Sequence, residues 1–166
     1  MKTTSTLAAA LMAAVLVGCA SAPTVVERQD SWLAAMGQVT RAESAPGAVL
    51  LRPHASEVRI GGPVVLDVLP RRSGYLYIYH VGTDGGGLSL LFPNASDRDN
   101  FVSGPTRLPR ADWRLSARGP QGVGHFLAVL TEQPQDPQAQ AAALRAGTIA
   151  VSGRYGASMA QVRELP

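Results

Sequence analysis

The sequence predicts an all-β fold, a two-sheet sandwich interrupted by one short helix. Three features carry that expectation. From about residue 48 onward, short runs of Val, Leu, Ile and Tyr alternate with Gly, Pro, Asn and Asp at intervals of roughly 8–12 residues, the spacing of a sandwich or barrel built from short strands. In GYLYIYHVGTDGGGLSLLF, residues 74–92, two alternating apolar runs flank an Asp-Gly pair, a strong hairpin signal. One stretch, DPQAQAAALRAG, residues 136–147, breaks the strand texture with strong helix formers.

Residues 1–18 read as a signal peptide. Lys2 precedes LAAALMAAVLV, residues 7–17, an uncharged run too short for a spanning helix, which needs roughly 20 apolar residues. Leu16-Val17-Gly18-Cys19 resembles the lipobox of bacterial lipoproteins, in which the signal is cut before the cysteine and the thiol carries lipid. Cys19 is the chain's single cysteine, so no intramolecular disulfide is available. The resemblance implies a permanent acyl anchor on Cys19, since stable attachment takes about two chains and such proteins carry more. Ala20, where an inner-membrane protein of this kind often has Asp, implies the outer membrane. From Cys19 to residue 47 the chain admits two readings. It is a tether, or a short helix in which Trp32, Met36 and Val39, at i, i+4 and i+7, share one face.

The sandwich domain is expected over residues 48–166. Strands are predicted near Ala48 to Arg52, Glu57 to Ile60, Val64 to Leu69, Gly74 to Val81, Leu88 to Phe92, Asp112 to Ala117, Gly124 to Thr131 and Thr148 to Ser152, with a last one from Met159 to Leu165. For the helix, Asp136 is a suitable N-cap, Pro137 fits the first helical position and Gly147 can close the end. A membrane β-barrel would need evenly spaced strands of about ten residues, and these are shorter and broken by proline.

The glycine-rich stretch after Val81 poses the chemical question. Alternation puts Tyr75, Tyr77, Tyr79 and Val81 on one face of the strand and Leu76, Ile78 and His80 on the other. A phosphate cradle needs such a loop to open onto a helix, and a strand follows here, so the reading is a turn. His54, His80 and His125 lack ligand-like spacing and no nucleophile accompanies them, so no catalytic residue and no metal site is expected. The loop NASDRDN offers Asn94, Asp97 and Asp99 as oxygen donors, but without the glycine and distal glutamate of a calcium loop. Its Asx residues suit turns that bond their own backbone.

A formal charge of +3, which loses Lys2 with the signal, is too weak an excess to imply nucleic acid. Every cation other than Lys2 is arginine, and Arg114 and Arg118 flank an expected strand, where they would offer bidentate contacts to an anionic partner surface. The order of GYLYIYHVGTDGGGLSLLFPNASDRDN, SGPTRLP and WRLSARGPQGVGHFLAVLTEQP resembles a bacterial family, domain of unknown function 4384, over about residues 58–133. The matching positions include Gly74, Tyr75, Phe92, Pro93, Asn94, Gly119 and Gly122. The resemblance implies an immunoglobulin-like β-sandwich and an accessory role, since some members accompany type VI secretion systems. The expectation is therefore a non-catalytic outer-membrane lipoprotein without cofactor, facing the periplasm, that binds another envelope protein. Tyr75, Tyr77, Tyr79, Asn94, Asp97, Asp99, Arg114 and Arg118 are its candidate partner-binding residues. The alternative is a periplasmic inhibitor or immunity protein that uses the loop Asn94 to Asn100 as a probe, with a cell-wall enzyme a third reading.

Overall fold

The computed structural model describes residues 25–110 and 113–166, so the signal segment and Cys19 lie outside the described residues. In chain order the elements are α1 (Val25–Arg41), β1 (Val49–Pro53), β2 (Glu57–Arg59), β3 (Leu66–Pro70), β4 (Gly74–Val81), β5 (Leu88–Phe92), β6 (Phe101–Val102), β7 (Thr106–Leu108), β8 (Gly122–Thr131), α2 (Pro137–Arg145) and β9 (Tyr155–Leu165). They form a β-sandwich. One sheet has the order β1-β3-β7 and the other β2-β9-β8-β4-β5, with β6 also pairing β4. All pairings are antiparallel except β2 with β9.

The larger sheet is buried on both faces, which explains why β4 has no polar side. Its inner face, with Leu76, Ile78, Phe126, Ala128, Leu130 and Val162, packs against Val49, Leu51, Leu66, Val68 and Leu108 of the small sheet. Its outer face carries Tyr77, Tyr79, Val81, Leu127 and Val129, covered by Met36 and Val39 of α1, Leu144 of α2, and the segment holding Ile149 and Val151. The helical spacing of Trp32, Met36 and Val39 therefore marks a packed face, and the tether reading fails over α1. Met36 is fully buried, and such burial stabilises by roughly 1.5–3 kcal/mol relative to exposure. Beyond α1 the chain stays bound to β9. Ser44 N and Ala45 N donate to Tyr155 O at 3.1 and 2.8 Å, and Ala157 N donates to Glu43 Oε2 at 2.8 Å. The folded body therefore includes α1 and does not start at residue 48.

The hairpin forms where the sequence places it. Val81 pairs Leu88 across the turn, Gly85 and Gly87 take φ of 68° and 101°, and Asp84 Oδ1 accepts from Gly86 N at 2.9 Å. The inserted helix is capped as expected, with Asp136 Oδ1 accepting from Gln138 N at 2.9 Å and Gly147 at φ 72°.

Two predicted strands are absent. Asp112 lies outside the described residues, and residues 113–117 run alongside residues 61–64, joined by a single bridge between Pro63 and Ser116. Gly61 N and Val64 N donate to Ala117 O and Leu115 O, both at 2.8 Å, and Ala117 N donates to Gly62 O at 3.0 Å, so the segment is tied to its neighbour over too short a stretch to form a strand. Residues 148–152 are also irregular. Thr148 N donates to Ala143 O at 2.9 Å and Ser152 N to Gln135 Oε1 at 2.7 Å, so their donors go to the helix end and a side chain. The last strand starts at Tyr155, before the expected Met159, because β9 pairs along the whole of β8. The short β6 and β7 had no expectation, being too brief to show a period.

Candidate functional site

The tyrosines divide by depth. Tyr77 and Tyr79 are buried at 4% and 1% exposure, so neither stands on open surface. Their hydroxyls are used internally. Tyr77 accepts from Gln135 N at 2.8 Å and Tyr79 from Gln140 Nε2 at 3.0 Å. Burial, more than the neighbouring Tyr77, pushes the Tyr79 hydroxyl well above its ordinary pKa, while the Gln140 contact opposes this. Tyr75 is half-buried edge-on against the exposed Phe101, ring centroids 5.3 Å apart.

The loop 94–100 ties its polar groups to the body. Asn94 Oδ1 accepts from Ser96 N and Asp97 N at 2.9 and 3.0 Å, and its Nδ2 donates to Leu91 O at 2.9 Å. Arg110 Nε donates to Asp97 Oδ2 at 2.8 Å and its Nη2 reaches both Asp97 Oδ1 and the Asp99 carbonyl. Trp113 Nε1 adds a bond to Asp97 Oδ2 at 3.1 Å, and Phe101 N donates to Asp99 Oδ1 at 3.2 Å. The Arg110 guanidinium holds the Asp97 carboxyl below its ordinary range, against the upward effect of burial. Arg110 in turn lies 5.0 Å over the ring of Phe92, which is fully buried. Asn94, Asp97 and Asp99 are thus gathered into a structural knot, with the Asp97 carboxylate occupied by an arginine and an indole.

A different polar cluster lies at the end of the sandwich where β4 turns into β5. His80 faces inward from β4 and stacks on Phe126, centroids 4.6 Å apart. Burial pushes its imidazole down to about 4. Asp84 pulls the other way, and His125 and Arg118 add smaller downward effects, so the ring is neutral at pH 7. Glu164 of β9 is only 5% exposed, and its Oε2 accepts from Gly119 N at 2.7 Å. Its Oε1 leans the other way. A β-carbon on Gly124 would sit 3.4 Å from Glu164 Oε1 and 3.5 Å from His80 Nε2, so this glycine keeps the floor between them clear. From above, the turn folds Asp84 over His80, and a β-carbon on Gly82 would lie 2.9 Å from Asp84 Oδ1 and 3.1 Å from His80 Cε1. Thr83 Oγ1 is buried there without a hydrogen-bond partner among the described residues. Ser116 and Arg118, from the irregular segment, close the rim of a cleft of about 290 Å³. Among the described residues no hydrogen bond joins the His80 ring to a hydroxyl, and no group of three His, Cys, Asp or Glu has metal-holding geometry.

Residues 57–134 match the model of a family described as a domain of unknown function, DUF4384. That segment is a DUF4384 domain. No curated protein and no solved structure matches the chain. The DUF4384 segment runs from β2 past β8, so it contains His80, Asp84, Arg118 and Gly124. Glu164 lies beyond it, on β9. The cleft therefore needs both the family segment and the strand that follows.

Of the predicted site residues, the structure brings only Arg118 to this cleft. Arg114 is exposed nearby beside Pro63 and Pro109. Glu164, Thr83 and Gly124 escaped sequence reasoning, because only strand register places them together. The DUF4384 segment also frames a second concavity, on the outer face. Tyr77, Leu90, Pro93, Arg98, Pro134 and Leu144 line an apolar groove of about 410 Å³ between α2 and the knot, beside β5 at the edge of its sheet.

Proposed function

We propose that this protein is an outer-membrane lipoprotein, anchored through Cys19 and facing the periplasm, whose non-catalytic sandwich docks another envelope protein as an accessory of a secretion apparatus. The lipobox-like sequence and the DUF4384 segment support the setting. One observation carries the docking role. Edge strand β5 reads LSLLF, with no charge and no proline, whereas natural edges are usually guarded by such residues. An unguarded edge beside an apolar groove suits an extended segment of a partner, which would add main-chain hydrogen bonds to β5 and seat alternate side chains in the groove. The exposed Arg98 at its rim favours a segment carrying an acidic residue.

The test uses a photo-reactive benzoylphenylalanine at Ala141, which is exposed on the groove wall, and a control at the exposed Ala55. The Ala141 probe is expected to trap one envelope protein in intact cells, the Ala55 probe not to, and Leu90→Arg to abolish the product while the domain stays folded. Equal trapping at both sites, or trapping that survives Leu90→Arg, overturns the proposal. The locked loop 94–100 supports a second reading, an inhibitor with a preorganised probe. A trapped protein that proves to be a hydrolase silenced by this chain would favour it.

A further inference from the structure

We propose that the cleft between the β4–β5 turn and β9 is a binding site for a cationic group, an ammonium or a guanidinium, held between Glu164 and Asp84. The site stands on its own residues. It opens on the inner face of the large sheet, whereas the docking groove lies on the outer face, so one can fail without the other.

The chemistry follows from what each wall offers. Glu164 is more than nine-tenths buried, and only its Oε2 is engaged, by Gly119 N. A buried carboxylate with one oxygen turned toward open space calls for a positive partner or a strong donor. Asp84 commits Oδ1 to Gly86 N and stands at the mouth with its charge exposed. His80 is neutral, so it presents a ring nitrogen without competing positive charge. Acceptors thus outnumber donors in the interior, and the one cation of the lining, Arg118, is exposed at the rim. An anion would meet two carboxylates there. A neutral polyol would leave the Glu164 charge uncompensated. An ammonium or guanidinium satisfies Glu164 Oε1 and balances the carboxylates. Leu91 and Leu115 on the wall suit the methylene stem that carries such a head.

Two sources share this chemistry, a free alkylamine and an arginine or lysine side chain of a protein. The experiment follows the Hε1 resonance of His80 by proton NMR in the full chain held in detergent, with His54 and His125 as internal references. The probes are butylammonium chloride and acetyl-Gly-Arg-Gly-amide, against the neutral controls butanol and acetyl-Gly-Gln-Gly-amide. A saturable shift of His80 alone is expected with at least one charged probe and with neither neutral one. A peptide that binds more tightly than the amine points to a protein side chain, and the reverse points to a small amine. Glu164→Gln, which keeps an acceptor for Gly119 N, is expected to weaken binding roughly tenfold or more, as loss of a charged contact does. Gly124→Ala fills the floor at ordinary contact distance and is expected to block binding with every charge still in place. No shift with either charged probe, equal shifts with the neutral controls, or unchanged binding in folded Gly124→Ala protein overturns the proposal.

Discussion

The loop 94–100 and the turn 82–87 look alike in sequence, each a short polar stretch after an apolar strand with aspartates as the obvious chemistry. The structure treats them oppositely. In the loop Asn94, Asp97 and Asp99 bond to backbone, Arg110 or Trp113, and Arg110 rests on a core phenylalanine. In the turn Asp84 uses one oxygen to shape the backbone, and the cleft beside it leaves Glu164 Oε1 and, buried in its wall, Thr83 Oγ1 without a partner among the described residues. A cluster that satisfies itself is architecture. A cluster that leaves buried acceptors open has capacity for something else.

The contrast breaks first at Asp97. Its side chain is 12% exposed, and its removal leaves Arg110 Nε and Trp113 Nε1 without their acceptor, with only the Asp99 carbonyl still bonded to Arg110. Asp97→Ala is expected to cost about 3 kcal/mol in urea unfolding, since breaking a largely buried pair from one side is far worse than losing a surface pair. A loss below 1 kcal/mol would show that the knot is ornamental.

The next largest effect belongs to the cleft and appears only in acid. The folded imidazole of His80 resists protonation down to about 4, against an ordinary 6.5. Between those values the unfolded chain binds a proton that the native one does not, so stability is full above pH 6.5 and falls as pH drops toward 4. At pH 5 the loss is roughly 2 kcal/mol, at about 1.4 kcal/mol per unit. Asp84 opposes this effect, while His125 and Arg118 reinforce it and Glu164 faces the same cleft. His125, also lowered by burial, contributes in the same sense and remains in the variant. Urea midpoints at pH 7 and pH 5 should therefore differ less for His80→Gln than for wild type, and equal differences would show that His80 is not held neutral by the fold.

Much of the architecture was legible because it is local. The hairpin rests on Asp84-Gly85 between alternating runs, α2 on Asp136, Pro137 and Gly147, and α1 on the spacing of Trp32, Met36 and Val39. Residues 113–117 show why alternation can mislead. Trp113, Leu115 and Ala117 do turn inward while Arg114 and Ser116 face out, yet the segment meets residues 61–64 through one bridge and three backbone bonds, too short a contact to make a strand. The tyrosine stripe was read on one face but offered to a partner, because nothing local says that a helix from far away in the chain will lie on it. The cleft was illegible for the same reason. Glu164 reaches His80 only through the register of β9 on β8 and β8 on β4, in which Gly122 faces Glu164 and Phe126 faces His80.

The smallest effect separates the two clusters most sharply, because it reverses sign. Thr83 Oγ1 is buried without a hydrogen-bond partner among the described residues, so the hydroxyl carries a desolvation penalty that a methyl would not. Thr83→Val replaces it with a methyl of similar shape and removes that penalty. The variant is expected to be unchanged or up to about 1 kcal/mol more stable in urea unfolding, while every truncation inside the knot destabilises. If Thr83 has a hidden structural partner, the valine variant will instead lose stability as an Asn94 truncation does, and the distinction between a closed cluster and an open one disappears.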